Sequence, residues 1–311
     1  MTQFIGKLCE NFLMEEMHMP ILIAVTLLWA FSFSLIGVYL AGQVDAWFSV
    51  LMRVSLATLV FLPFLKLRQI EAKIALKLMI CGALQLGIMY GFYYQSFLYL
   101  SVPEVLLFTV MTPLYVTLIN DMLDKRLNIG FAISALLAIF GAVAIRYQGV
   151  DEGFIKGLII VQCANLCFAA GQVGYKRIIA KERPDLPQRT VFGWFFIGAL
   201  AVVIPCYIAM GNTEQLPTTA LQWSILIYLG IVASGLGYFA WNKGATMVNI
   251  GTLAVANNLL IPAGIIVNVV FWNRDADIFR LAIGGGIILM ALWVNDKFNQ
   301  KFTNAKAVTA K

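Results

Sequence analysis

The chain has 311 residues, of which 61% are hydrophobic and only 12% are charged, and its mean hydropathy is +0.84. In soluble domains about a quarter of the residues are charged. The composition of this chain therefore excludes a soluble globular domain, a disordered chain and a disulfide-stapled secreted protein. Because apolar stretches of about 18 residues or more are typical of transmembrane helices, the sequence predicts an all-α polytopic membrane protein.

The net charge of +6 does not indicate a nucleic-acid partner, because the basic residues are dispersed in short loops and form no patch along the sequence. Four of the five cysteines lie inside apolar stretches, where a thiol usually behaves as a small hydrophobic group. Cys163 and Cys167 are one helical turn apart, but no histidine or further cysteine lies near them in the sequence. We therefore expect neither a metal site nor a cofactor.

The predicted elements follow one another from the N-terminus. Residues 1–19 form an N-terminal extension that is mildly amphipathic, either an interfacial helix or an extended start with a later methionine as the initiator. Short polar segments then separate ten predicted membrane spans, and the weakest separation is at Tyr99–Ser101. The spans are 20–41, 46–65, 74–98, 102–120, 128–147, 153–175, 190–210, 221–242, 249–272 and 278–296. Residues 297–311 form a charged tail.

The basic residues of the loops predict the orientation. With the N-terminus in the cytoplasm, 17 lysines and arginines flank the inner ends of the spans and 4 flank the outer ends. Because cytoplasmic loops carry an excess of Lys and Arg, both termini are predicted to be cytoplasmic.

The two halves of the chain, 20–147 and 153–296, resemble each other weakly. At an offset of 149 residues Pro113 falls on Pro262, and Met89 falls on Tyr238. Five spans in each half would place the halves in opposite senses across the membrane, as in the inverted repeats of many secondary transporters. The alternative is that two proline-bearing apolar helices are alike in composition only.

Among the ionisable residues of the predicted spans, Arg53 and Glu104 are the candidate functional groups, because charge inside the membrane is unfavourable and usually functional. Arg53 is either a docking group for a substrate carboxylate or a packing clamp that bonds helix carbonyls or extends to the interface. Glu104, after Pro103, is a candidate for proton coupling, because apolar surroundings favour a protonated carboxyl, or for an ion pair with Arg53. Its alternative role is that of an acidic residue at a helix N-terminus.

Neutral amides also lie within the spans, and they can donate and accept hydrogen bonds to the same ligand. Asn257 and Asn258 precede Pro262, which frees a carbonyl one turn back. We therefore expect an irregular helix that lines a cavity there, although amides equally bond helix to helix. Gln85 and Asn165 are further candidate ligand-binding amides, and Pro113 and Pro262 are candidate gating positions.

Aromatic residues crowd two of the spans at related places. Tyr90 and its neighbours fill the end of the third predicted span, and Tyr238 and Trp241 fill the related place in the eighth. Some of these rings belong to the interface belt or face lipid, while a subset is suited to enclosing a cyclic apolar ligand.

Enzyme motifs are lacking from the sequence. It contains no phosphate-cradling GxxxxGK[ST] loop and no G-x-S-x-G nucleophile turn. The expectation is a protein that is not an enzyme and that has no ATP-binding domain of its own.

The segment Leu28–Phe31, together with Arg53, Pro113 and the five-plus-five layout, resembles the drug/metabolite transporter superfamily. It is most similar to the EamA branch, also called the carboxylate/amino acid/amine transporters. Further strings resemble the biotin importers of enteric gamma-proteobacteria: Leu28–Ser34, Leu106–Tyr115, Val173–Arg177, Val232–Phe239 and Asn257–Val267.

This resemblance implies a multi-pass protein of the bacterial inner membrane. It would be a secondary active transporter that imports biotin by alternating access, with proton coupling as part of the hypothesis and no ATPase subunit. The biotin carboxylate would bind Arg53. The ureido group would bind Gln85, Asn165, Asn257 and Asn258, and the sulfur-containing ring would lie against Tyr90, Tyr238 or Trp241.

Two other functions remain open at this point. An exporter of amino acids or other small metabolites would use Glu104 and aromatic rings for an amine and would leave Arg53 structural. A non-transporting membrane sensor would be expected to carry an output domain, and the only polar segment at the C-terminus is the short tail.

Overall fold

The computed structural model describes residues 20–66, 68–125, 151–182, 187–248 and 250–272, with scattered helical residues between 133 and 140 and between 279 and 294. The described part of the chain is all-helical, in agreement with the predicted class. We number its eight continuous helices α1 to α8. They are Pro20–Leu40, Ala46–Phe64, Ala72–Ser96, Val102–Leu123, Glu152–Ala180, Gln188–Met210, Ala220–Met247 and Ile250–Trp272.

The eight helices match eight of the ten predicted spans to within a few residues at most ends. The helices α1 to α7 are long and apolar enough to cross a membrane. The predicted spans 128–147 and 278–296, the extension 1–19 and the tail 297–311 lie wholly or mostly outside the described residues. A multi-pass membrane protein therefore follows from the structure, whereas the count of ten and the sides of the termini remain predictions.

Several helices change their hydrogen-bond pattern near the middle of the molecule. α3 contains a π-helical segment at Ala83–Ile88, and α7 contains one at Leu229–Leu236, which overlaps the first at the offset of 149 residues. In α4 a 3-10 turn, Thr109–Met111, precedes Pro113. Such irregular segments are frequent at functional sites.

The irregular backbone expected before Pro262 is not observed. α8 continues through Pro262 as one α-helix from Ile250 to Trp272. The interruption lies instead at the related proline, Pro113, because Thr112 donates its backbone N–H to the carbonyl of Thr109 and Pro113 has no N–H to continue the ladder.

The packing of the helices repeats between the two halves. The contact of α2 with α7 corresponds to the contact of α6 with α3. In the same way, the contact of α4 with α5 corresponds to that of α8 with α1. α3 packs against α5 as α7 packs against α1. Each contact in this set therefore has a counterpart when α1–α4 are exchanged with α5–α8, as two related four-helix units require.

Glycines bring α3 and α6 into backbone contact. A Cβ atom on Gly82 would overlap the backbone carbonyl of Phe195, and one on Gly198 would overlap the backbone of Met79. Small residues at such places are how membrane helices approach closely, because lipid tails compete equally for larger apolar side chains.

We expect Gly198→Val to lower the stability of the protein by about 1–3 kcal/mol, because the new side chain must displace the α3 backbone. The measurement is the apparent melting temperature of the purified protein in detergent. Ala201→Val is the matched control, because Ala201 lies one turn further along α6 and is exposed. Equal melting temperatures for the two variants would contradict the close contact.

Candidate functional site

A cavity lies between the two four-helix units, α1–α4 and α5–α8, and the residues that line it are well away from the ends of their helices. The space is part-open and measures about 630 Å³ including its mouth. We call it the Arg53 cavity. Its lining comes from α1, α2, α3, α4, α5, α7 and α8: Trp29, Ser32, Phe33, Ile36, Arg53, Met89, Tyr90, Tyr93, Thr109, Thr112, Asn165, Phe168, Tyr238, Asn257 and Leu260.

Arg53 is held by hydroxyl groups from two other helices. Its Nη2 donates to the Tyr90 hydroxyl at 2.6 Å and its Nη1 donates to the Tyr94 hydroxyl at 3.3 Å. Its Nε donates to Ser234 Oγ at 3.1 Å, and the Tyr90 and Ser234 hydroxyls lie 2.9 Å apart. The guanidinium also lies 4.1 Å from the centroid of the Tyr90 ring, a favourable cation–π contact.

Local backbone features place these groups. Gly230 lies against Leu56 and the Cα atom of Arg53, so α7 approaches α2 closely there. Ser234 follows Gly230 by four residues inside the π-helical segment of α7. The close approach therefore puts the Ser234 hydroxyl within reach of Nε.

Arg53 is 2% exposed, yet its hydrogen-bond partners among the described residues are neutral hydroxyls. None of the ion pairs found among the described residues involves Arg53. A buried cation without a carboxylate partner is unfavourable, so the Arg53 cavity carries a positive charge that an anionic ligand would balance.

Three aromatic rings of the lining form one wall of the Arg53 cavity, those of Trp29 on α1, Phe168 on α5 and Tyr238 on α7, and the ring of Trp241 contacts this wall from outside the lining. The centroid of the Trp29 ring lies 4.9 Å from that of Tyr238, 5.0 Å from that of Trp241 and 6.2 Å from that of Phe168. Trp29 Nε1 donates to the carbonyl of Ala233 at 3.0 Å, within the π-helical segment of α7. We call the four rings of Trp29, Phe168, Tyr238 and Trp241 the aromatic partition.

Amides and hydroxyls contribute the polar part of the lining. Asn165 Nδ2 donates to the carbonyl of Phe108 at 2.9 Å, which precedes the 3-10 turn of α4. Asn257 Nδ2 donates to the carbonyl of Leu253 at 3.0 Å. Asn165 and Asn257 both belong to the lining, and an amide oxygen is a suitable acceptor for a ligand N–H.

The structure brings five of the predicted binding residues to one cavity: Arg53, Tyr90, Asn165, Tyr238 and Asn257. Trp241 does not line it, but the Trp241 ring packs against the ring of Trp29. Gln85 is fully buried on the π-helical segment of α3, and neither of its amide atoms has a partner in the described part of the chain. The side chain of Asn258 lies outside the described residues.

The three predicted coupling or gating residues are not part of the lining. Glu104 accepts hydrogen bonds from the backbone N–H and the hydroxyl of Ser101, both at 2.8 Å, and so completes a capping box at the start of α4. Pro113 follows the 3-10 turn of the same helix, next to the lining residue Thr112. Pro262 lies two residues beyond Leu260 of the lining.

Sequence reasoning missed several residues of the site. Ser234, Tyr94 and Trp29 all contact Arg53 or the cavity. A serine in an apolar run resembles a small structural residue, but its place between Gly230 and Gly235 marks a segment of close approach. At the offset of 149 residues Ser234 falls on Gln85, so the repeat itself was an available signal.

The sequence pattern of the EamA-like transporter family matches residues 18–147 and again residues 155–295. The chain belongs to the EamA-like transporter family. The two matched ranges cover nearly all of the described helices, so the Arg53 cavity lies between two EamA-like segments.

Relatives of this EamA-like transporter are similar over most of their length. A protein of Pseudomonas aeruginosa named "Probable biotin transporter" is 52% identical over 89% of this chain and 97% of its own. Proteins named "Biotin transporter" from Salmonella typhimurium and Escherichia coli are 52% and 50% identical over 90% of this chain and 93% of theirs.

A solved crystal structure has the same fold at much lower similarity in sequence. It matches with a TM-score of 0.64 and 18% identity, and the match covers 90% of this chain and 97% of the other. This likeness supports the helical architecture and carries no information on the ligand.

The bond between Asn165 and the carbonyl of Phe108 yields a stability prediction for the EamA-like transporter. Asn165→Leu should lower the stability by about 1–3 kcal/mol, because it removes two buried hydrogen bonds, to the Phe108 carbonyl at 2.9 Å and to Gln162 Oε1 at 3.1 Å. Gln162→Leu is the control, since Gln162 Nε2 lies 3.5 Å from the same carbonyl and contributes a weaker bond. Both are compared by melting temperature in detergent, without ligand. A larger loss for Gln162→Leu would contradict the assignment.

Proposed function

We propose that the protein is a secondary active transporter that imports biotin across the bacterial inner membrane by alternating access. The observation that carries the proposal is the buried guanidinium of Arg53 in a mid-helix cavity without an ion-pair partner among the described residues. Relatives about half identical to the chain that bear the name biotin transporter support the choice of substrate.

The Arg53 cavity offers a partner for each part of biotin. The valerate carboxylate binds beside Arg53 as its anionic partner, because hydrogen bonds between charged groups are stronger than those between neutral groups. The ureido group, which has two N–H donors and one carbonyl, bonds Asn165 and Asn257. The bicyclic ring lies against Trp29, Phe168 and Tyr238 of the aromatic partition.

Alternating access follows from the proposed architecture. We infer ten membrane helices in two inverted five-helix repeats, 20–147 and 153–296, with both termini in the cytoplasm. The two family matches and the paired helix contacts support the repeats, and the distribution of basic residues supports the orientation. A cavity between two such repeats is exposed to either side as one repeat rocks against the other.

The alternative, an exporter of amino acids or other small metabolites that recognises the substrate by its amine, is less well supported by the lining. Such a substrate calls for a carboxylate in the cavity, and none of the described lining residues is acidic. We retain proton coupling in the proposal, with Glu104 as its candidate carboxyl, because α4 also carries the lining residues Thr109 and Thr112.

Uptake of radiolabelled biotin tests the substrate. A biotin-auxotrophic strain that lacks its own importer should accumulate label when it expresses this protein, and accumulation should fall when an uncoupler collapses the proton gradient. The signal is compared with that of cells carrying the empty vector and of cells expressing Gly198→Val at matched membrane levels.

Uptake at vector level, with the wild-type protein verified in the membrane, would refute biotin as the substrate. Unchanged accumulation in the presence of the uncoupler would refute proton coupling but would not affect the proposal that biotin is the substrate.

Replacement of Arg53 tests the docking of the carboxylate. Arg53→Met should raise the half-saturating biotin concentration by about tenfold or more, since a hydrogen bond to a charged group contributes about 1.5–3 kcal/mol. Arg53→Lys should lose less, because it keeps the charge but not the planar fork.

The methyl ester of biotin provides the discriminating comparison. It should compete with biotin poorly for the wild type and nearly as well as biotin itself for Arg53→Met. Lys77→Met is the control, because Lys77 forms a surface ion pair with Glu182 remote from the cavity. If Arg53→Met still prefers the free acid as strongly as the wild type, Arg53 has a structural role only.

A further inference from the structure

The guanidinium group of Arg53 has five N–H donors in one plane, one on Nε and two on each Nη atom. Three of the five are used among the described residues: Nε donates to Ser234, Nη2 donates to Tyr90 and Nη1 donates to Tyr94. One N–H of Nη1 and one of Nη2 therefore have no acceptor in the described part of the chain. Arg53 also lines the cavity, so these two N–H groups are the donors that it offers to a ligand.

The hydroxyl oxygens of Ser234 and Tyr90 share one edge of the guanidinium group. They lie 2.9 Å apart, and they accept from Nε at 3.1 Å and from Nη2 at 2.6 Å. The N–H bonds of one edge are parallel, so two acceptors this close together occupy the same edge. A carboxylate binds arginine in the same bidentate way, with one oxygen on each N–H. The two hydroxyls, which we call the hydroxyl pair, thus occupy the Nε edge in the place of a carboxylate.

The donors that remain lie on the Nη edge, between Nη1 and Nη2. Because Tyr90 uses the N–H of Nη2 on the Nε edge, the second N–H of Nη2 points along the Nη edge. Tyr94 lies one helical turn after Tyr90 on α3 and accepts from one N–H of Nη1 at 3.3 Å. If that N–H is the one on the Nη edge, the phenol keeps its own O–H as a donor beside it. In either case two donors remain for a planar carboxylate.

Two glycines hold the π-helical segment of α7 against α2 on either side of Ser234. A Cβ atom on Gly230 would lie 3.3 Å from the Cα atom of Arg53, and one on Gly235 would lie 3.6 Å from that of Ala57. Close approach of this kind fixes the position of a short side chain between the glycines. The other member of the hydroxyl pair is on α3. The two halves of the chain therefore each contribute one hydroxyl to the Nε edge.

Tyr90 restrains the guanidinium group in a second way. The centroid of its ring lies 4.1 Å from the guanidinium carbon, so the ring face supports the cation while the hydroxyl bonds its edge. The bond from Nε to Ser234 opposes rotation of the group within its own plane. These contacts leave the cation in one orientation, in which the Nη edge carries the unused donors.

We propose that Ser234 and Tyr90 are positioning residues that occupy the Nε edge of Arg53 and confine the substrate carboxylate to the Nη edge. The proposal rests on the proposed function, because the ligand is the carboxylate of biotin. Ser234 is not among the lining residues, so it acts through Arg53 and not by contact with the substrate. Without the hydroxyl pair the guanidinium group takes several orientations, and a carboxylate that must first order it binds more weakly.

Uptake of radiolabelled biotin by Ser234 variants tests the positioning. Ser234→Ala should raise the half-saturating biotin concentration by about tenfold, as expected for one hydrogen bond to a charged group, with a smaller change in the maximal rate. Ser234→Cys keeps the volume of the side chain but offers only a weak acceptor, and it should lose a similar factor. Ser49→Ala is the control, because Ser49 is a fully buried serine of α2 whose hydroxyl has no partner among the described residues.

The preference for free biotin over its methyl ester shows whether the loss concerns the carboxylate. In competition with labelled biotin, the wild type should prefer the free acid strongly. Ser234→Ala should reduce that preference towards the preference of Arg53→Met. A variant that only loosened the packing of α7 would weaken both competitors by the same factor and leave the preference unchanged.

Nuclear magnetic resonance of the arginine side chains tests the edge directly and does not depend on transport. In purified protein with isotopically labelled arginine, the Nε–H resonance of Arg53 is the one that Arg53→Met removes. In the wild type without biotin it should be protected from exchange with water, because Nε is buried and bonded to Ser234. Ser234→Ala should remove this protection and Ser49→Ala should preserve it. Biotin should shift the Nη resonances of Arg53 and leave the protection of Nε–H in place.

Unchanged half-saturation and ester preference in Ser234→Ala would overturn the positioning role and leave biotin as the substrate. Tighter binding of biotin by Ser234→Ala would also overturn it, because Ser234 would then compete with the carboxylate for Arg53. Loss of Nε–H protection on addition of biotin to the wild type would place the carboxylate on the Nε edge, against the proposal. If the wild type shows neither uptake nor any shift of its Arg53 resonances with biotin, both the substrate and this proposal are wrong.

Discussion

The burial of one guanidinium group within an apolar helix bundle is the constraint on which the rest of the site depends. Transfer of a charged group out of water is unfavourable by several kcal/mol even after relaxation. Here the charge of Arg53 on α2 is stabilised by hydroxyls of Tyr90 and Tyr94 on α3 and of Ser234 on α7. Because these helices come from both halves of the chain, the interaction that holds Arg53 also joins the halves. The same hydroxyls leave the charge unneutralised, which is the condition for a carboxylate to bind.

The irregular helices around the cavity follow from this arrangement. A regular α-helix uses most of its carbonyls in its own hydrogen-bond ladder, whereas the π-helical segment of α7 and the 3-10 turn of α4 shift that ladder. A carbonyl beside each irregular segment accepts from a side chain of another helix: that of Ala233 from Trp29, and that of Phe108 from Asn165. Both donors line the Arg53 cavity. The residues that shape the cavity therefore also stabilise the backbone that surrounds it.

The sequence predicted the helices well because their hydrophobicity is a local property, and eight predicted spans agree with observed helices. It also identified Arg53, Tyr90, Asn165, Tyr238 and Asn257, because polar or aromatic groups in apolar runs stand out. It missed Ser234 and Trp29, whose roles arise from contacts with distant helices. It also placed the backbone break at Pro262, because one proline cannot be distinguished from its counterpart by sequence. Which proline interrupts its helix depends on the donors nearby, and Asn165 lies beside α4.

The unpartnered amides suggest why such a bundle can change conformation. Gln85, Gln172 and Asn242 each bury at least one polar atom without a partner among the described residues, and each such atom is unfavourable by about 1–3 kcal/mol. Gln172 Oε1 accepts from Trp241 Nε1 while its amide nitrogen has no acceptor among the described residues, and Gln85 occupies the place in α3 that Ser234 occupies in α7. This conformation thus provides hydrogen bonds for the polar groups around Arg53 but not for these two amides. A conformation that exposes Gln85 and Gln172 to water or ligand would gain the hydrogen bonds that they lack here. The asymmetry between Ser234, which bonds Arg53, and Gln85, which has no partner among the described residues, therefore favours such a rearrangement over permanent retention of the present packing.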